Sequence, residues 1–235
     1  MTPALSWDPN AVINAIKEGV DFREYTTELK EATAMSRRSF SVGLGSSPGD
    51  IDLHLASMEK FRRSSNLIFY QTRTEVSYWN STMFRHAPVT NITRASFPKS
   101  SIGFGLKDKG EWLRELGDSK FCLVIRGDTP HSKALWRSIR CGCIPVVASD
   151  TLPIFAPMFK STLRVRDYAV ILKEEDIVRD TEGTLLRLQE MSDEEVEEKL
   201  KHLAFAQRVI MSDHPQSLFV PAFLHEATMA TEVKL

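Results

Sequence analysis

An α/β fold, a parallel sheet flanked by helices, is what this 235-residue sequence predicts, and three observations predict it. Short apolar runs without polar alternation occur at 67–70, 121–125, 144–148 and 168–172. Such runs suit strands buried on both faces, as strands of a parallel sheet are. Segments with helical spacing separate them, and the stretch 120–150 reads strand, turn, helix, strand in immediate succession. Together these predict a Rossmann-like domain from about residue 58 onward, with the closing helices packed against the sheet.

Each element has its own justification. Residues 9–35 read as helix, since Pro9 after Asp8 suits a first turn and Val12, Ile13, Ile16 and Val20 share a face; Gly19 is the point where it can break. The Ser/Gly-rich stretch SRRSFSVGLGSSPGD over 36–50 reads as a linker. A short helix is expected over 53–61, the first strand over 67–70, a helix over 75–85, a strand over 89–92 and a loop over 93–108. Trp112, Leu113 and Leu116 mark one side of a helix over 111–116. Helices are also expected over 181–190, 193–211 and 216–227. The middle one starts with Ser192 as cap ahead of Asp193, Glu194 and Glu195, and would pack through Val196, Leu200, Leu203 and Ala204. The chain thus divides into an N-terminal helical segment with its linker, 1–57, and the Rossmann-like domain, 58–235.

Composition narrows the function. A hydrophobic content of 42% is enough for a sizeable core, and a formal net charge of -1 offers no global field to attract nucleic acid. No stretch approaches the ~18 apolar residues of a membrane-spanning helix, and MTPALSWDPN lacks the basic start and apolar run of a signal peptide. On these grounds alone the chain looks cytosolic. Asn80-Ser81-Thr82 and Asn91-Ile92-Thr93 match the glycosylation triplet but recur too easily by chance to decide anything. Cys122, Cys141 and Cys143 are too few for a disulfide scaffold and lack zinc-site spacing. They leave two readings: buried apolar packing, or a bridge from Cys122 to Cys143 if their segments are adjacent.

The stretch KFCLVIRGDTPHSKALWRSIRCGCIPVVASD carries the chemistry. Its first strand ends at Ile125, Gly127 permits a sharp turn, and Thr129, His131 or Ser132 can cap a helix whose entry Pro130 rigidifies. Gly142 ends that helix, and Ser149-Asp150 lies just past the second strand. Both strand ends of such a unit face one edge of the sheet, where ligands of open α/β sheets bind. The helix start supplies free N–H groups there; Thr129 and Ser132 add hydroxyls, and Arg126 and Lys133 add charge. This is the make-up of a local phosphate site. Neither the G-x-G-x-x-G fingerprint nor a Walker lysine motif is present.

The block F-C-L-x-x-R-G-D-T-P-x-S, continuing through G-C-I-P-V-V-x-S-D, resembles the signature of the exostosin family of glycosyltransferases, and GCIPVVASDTLPIF is its most specific part. SSNLIFYQTR and RVRDYAVILKEEDI are similar to the family's first strand with its loop and to a later strand with its acidic follow-up, so the likeness covers about 60–228. It implies the C-terminal domain of a GT-B glycosyltransferase, which holds a nucleotide sugar, usually a UDP-sugar. It also implies an inverting transfer to a glycan hydroxyl, and residence in the Golgi. On that reading Arg73, Arg126, Gly127, Asp128, Thr129, Ser132 and Lys133 surround the diphosphate, while Asp150 touches the sugar and is the candidate base. Asp128 can equally brace its turn through backbone N–H groups.

This chain departs from the family's pattern in three places. Residues 1–57 amount to about a third of what the acceptor-binding half would require, and they read as helix and linker rather than βα units. Lys133 stands where arginine is common, and Ala156 lies where many relatives carry an acid. The expectation is therefore twofold: an inverting transferase, or a non-catalytic nucleotide-sugar-binding module that pairs with a full-length glycosyltransferase. No cofactor is expected. Asp50-Ile51-Asp52 matches a manganese-binding D-x-D pair, but its place between linker and helix favours capping, so no metal is expected either. Phe155 and Phe159 are read as core rather than as a stacking platform.

Overall fold

The computed structural model describes residues 51–72, 86–104, 108–125, 133–150, 152 and 159–231. The helices expected over 9–35 and 75–85 and the linker over 36–50 lie outside the described residues. In chain order the elements are α1 (Met58–Arg63), β1 (Asn66–Thr72), α2 (His86–Ser96), β2 (Ser101–Phe104), α3 (Lys109–Gly117), β3 (Ser119–Ile125), α4 (Lys133–Arg140) and β4 (Ile144–Ala148). They continue with α5 (Val165–Tyr168), β5 (Val170–Leu172), α6 (Glu174–Arg179), α7 (Thr181–Leu186), α8 (Asp193–Ile210) and α9 (Phe219–Thr231).

The five strands form one sheet in the order β2-β1-β3-β4-β5, and every pairing is parallel. The expected Rossmann-like α/β class is what the chain adopts. In β3 the buried run Phe121–Ile125 sends alternate side chains to opposite faces of the sheet. On one face Phe69 meets Trp112 of α3 edge-on at 5.7 Å, and the Arg137 guanidinium of α4 lies 5.0 Å from the same indole. On the other, Phe121 meets Phe61 of α1 at 5.5 Å, and a groove is lined by Phe121, by Phe97 and Leu188 from the segments that follow α2 and α7, and by Val196 of α8. The sheet is therefore covered on both sides, and that is why its strands are continuous apolar runs.

Two expectations fail. The strand expected over 89–92 belongs to helix α2, and the loop expected over 93–108 contains strand β2. Among the described residues of α2 the buried positions are Val89, Thr90 and Thr93, and Phe97 just past its end continues a stripe half made of threonines. The Thr93 hydroxyl donates to the Val89 carbonyl at 2.6 Å, so it satisfies itself locally and can face the core. Strand β2 is a four-residue edge strand whose two large apolar residues, Ile102 and Phe104, are separated by Gly103, so it carries no run to detect. A Cβ at Gly103 would fall 2.7 Å from Oε1 of Gln71 on β1, so the end of that side chain packs directly against the glycine.

The segment ahead of α1 is laced to the rest. The buried Gln207 side chain of α8 donates to the carbonyls of His54 and Ile139, both at 2.7 Å, and accepts from the Ala56 N–H at 2.9 Å. Arg140, at the end of α4, donates to the Ile51 carbonyl and grips Asp213 with two bonds of 2.8 and 2.6 Å. Residues 51–57 contain no helix; the helix expected over 53–61 begins only at Met58, capped by Ser57.

Candidate functional site

Strand order singles out one edge. From β1 the chain crosses to β2 on one side, then returns to place β3 on the other, so the winding direction reverses between β1 and β3. A crevice opens outside the carboxyl ends of strands at such a reversal. Thr72 closes β1 and Ile125 closes β3, and these two strands are direct neighbours. Beside them Ala148 closes β4, in register with Ile125 on one side and Leu172 on the other.

Several expected site residues lie outside the described residues: Arg73, Arg126, Gly127, Asp128, Thr129 and Ser132, together with His131, Phe155 and Ala156. Lys133 is described; it is exposed and opens α4, the helix that follows β3. Asp150 is exposed two residues past β4. Its Oδ1 accepts from the Glu174 N–H at 3.2 Å, and the Glu174 carboxylate accepts from the Asp150 N–H at 3.0 Å. This reciprocal pair ties the turn after β4 to the start of α6 and commits one Asp150 oxygen to backbone. Of the D-x-D pair Asp50 lies outside the described residues and Asp52 is exposed. Phe159 is buried and packs edge-on against Phe219 at 5.6 Å, as a core residue does.

The sequence reading missed two features of this edge. Ser149 is only 3% exposed, and its hydroxyl has no hydrogen-bond partner among the described residues. A buried hydroxyl in that condition costs free energy unless a further group meets it. Glu174 is the other: its only signal in the sequence is the acidic cluster that follows the last apolar run. On β1, the Gln71 amide donates to Ser101 Oγ at 3.3 Å, while its buried Oε1 has no partner among the described residues.

Helix α4 approaches the edge rigidly because both strands flanking it are fixed at the opposite end. Cys122 of β3 is disulfide-bonded to Cys143, which immediately precedes β4, so the second of the two cysteine readings holds. Cys141 is free and buried, and that burial pushes its thiol up to about 12. The helix stops in two bonds, Gly142 N–H to Ile139 and Cys143 N–H to Ser138, at 3.1 and 3.0 Å, with Gly142 at φ 59°.

Comparison with known proteins decides the family. The Exostosin GT47 domain matches residues 27–187, more than half of the chain. The chain belongs to the exostosin glycosyltransferase family. Among curated relatives it is 30% identical, over 55% of its length, to a probable glucuronosyltransferase of Oryza sativa subsp. japonica. It is 35% identical, over 30% of its length, to a xyloglucan-specific galacturonosyltransferase of Arabidopsis thaliana. These alignments span 30% and 11% of the two relatives, so this exostosin-family chain corresponds to a minor part of either.

Proposed function

We propose that this chain is the nucleotide-sugar-binding half of a GT-B glycosyltransferase, which takes a UDP-sugar and serves its transfer to a glycan hydroxyl. The observation that carries this reading is the reversal of strand order at β1 and β3, which makes their carboxyl ends the binding edge in a family of sugar transferases. Lys133, with Arg73, Arg126, Gly127, Asp128, Thr129 and Ser132, is assigned to the diphosphate. The unmet Ser149 hydroxyl is a natural partner for a sugar or ribose oxygen. Both relatives carry uronosyltransferase names, so UDP-glucuronate and UDP-galacturonate head the donors to be tried.

Residence in the Golgi lumen is part of the same reading. The buried disulfide between Cys122 and Cys143 supports it, because such bonds persist in oxidising compartments. No described helix is long and apolar enough to cross a membrane.

One observation favours a second reading, a module that binds without transferring. Asp150, the candidate base, spends one carboxylate oxygen on the Glu174 backbone. Calorimetry with UDP and the two UDP-uronates, followed by an assay of transfer and donor hydrolysis, separates the two. Binding with turnover supports the enzyme, and binding without turnover supports the module. Lys133→Ala is expected to weaken UDP binding by about 1–3 kcal/mol, the worth of one charge-assisted bond. Unchanged affinity removes Lys133 from the site.

A further inference from the structure

At the amino-terminal end of the sheet, opposite the edge just described, α1, α3 and the segment ahead of α1 border a half-open cavity of about 250 Å³. His54, Lys60, Arg63, Ser64, Arg114 and Asp118 are among its lining residues. Lys60 is only 6% exposed, and its ammonium makes one hydrogen bond among the described residues, to the Ser119 carbonyl at 2.6 Å. An ammonium has three donors, so two are left to face the cavity region unanswered.

None of Lys60, Arg63 and Arg114 has an ion-pair partner among the described residues. The one carboxylate in the lining, Asp118, accepts from the Ser65 N–H at 3.1 Å, holding the turn from α1 into β1. Three cationic groups thus converge on a space that offers a single, already engaged negative charge. The space is kept open in part by Gly117, where a Cβ would lie 3.3 Å from His54 Nε2. Two guanidinium forks and a point charge around a small hollow are the donor set that tetrahedral oxyanions take.

We propose that this cavity binds a small oxyanion, a sulfate or phosphate group, brought as the free ion or as a substituent on a glycan. The site is independent of the donor reading: β3 begins beside it at Ser119 and runs roughly 20 Å before ending at the opposite edge. Loss of UDP binding therefore leaves the anion site untouched, and the reverse holds as well.

The test is thermal unfolding of the full chain in sodium sulfate and sodium phosphate, each against sodium chloride of equal ionic strength. Sulfate or phosphate is expected to raise the midpoint beyond the chloride control. In the double variant Arg63→Gln, Arg114→Gln the apparent affinity should fall roughly tenfold or more. Both arginines are exposed, so the variant is expected to fold. Arg62→Gln, on the same helix but paired with Asp193, should leave the response intact. A wild-type chain indifferent to both anions, or a double variant that responds as the wild type does, overturns the proposal. A sulfated disaccharide that outbinds both its unsulfated counterpart and inorganic sulfate identifies the carried group as ligand. Equal affinity for the sulfated sugar and the free ion identifies the ion.

Discussion

Gly142 and Lys60 show how single residues bear on this fold. Gly142 sits at φ 59°, where a side chain is strained, and a Cβ there would lie 2.6 Å from the His54 carbonyl. No rotamer relieves a contact with backbone. Gly142→Ala is expected to lower stability by about 1–3 kcal/mol, read from the denaturant midpoint. Lys60 acts through its charge. Burial, above all, pulls its ammonium from 10.5 down to about 8. Below about 8 the folded and unfolded chains both hold the proton, and the full cost of the buried charge is present. Between that value and 10.5 the unfolded chain binds more protons, so stability rises with pH. Lys60→Met removes this dependence. Its stability advantage over the wild type should shrink by on the order of 3 kcal/mol as pH climbs through the window. A constant difference between the two chains across that range would refute the assignment.

At the scale of elements, the disulfide and helix stop act together at one end of the β3-α4-β4 unit. Cys122 and Cys143 are both buried and 21 residues apart, so the bridge closes a loop containing the whole of α4. Replacing Cys143 by serine should cost roughly 3 kcal/mol, and thiol reductant should lower the melting temperature of the wild type but not of the variant. The strand, helix and strand of this unit were readable because unbroken apolar runs and a terminal glycine are strong local signals. Helix α2 and strand β2 were not readable, since their structure is decided by tertiary fit. Thr90 and Thr93 look polar in sequence yet are buried, and β2 is defined by its pairing with β1, where Gly103 packs against the Gln71 side chain. Helix α8 was legible for the opposite reason: Ser192 and Glu195 exchange bonds at 3.2 and 2.9 Å, a wholly local cap.

Over the whole molecule, strand order could not be read from one sequence, because periodicity identifies strands without saying which are neighbours. It is the order that singles out the carboxyl ends of β1 and β3 as one edge. Asp150 shows the same limit at the edge itself: the sequence put it past β4, but its partner Glu174 is 24 residues away and visible only in the fold. The anion cavity escaped for a similar reason, since α1 and α3 bring together residues spread over 54–118.

Gln207 bears on how this protein can be taken apart. Its amide is fully enclosed and answers three backbone groups, two of them at His54 and Ala56. A clone started at Met58 would discard those two partners and leave the carboxamide only the Ile139 carbonyl. Starting at Ile51 keeps every one of those partners, as well as the carbonyl that Arg140 holds.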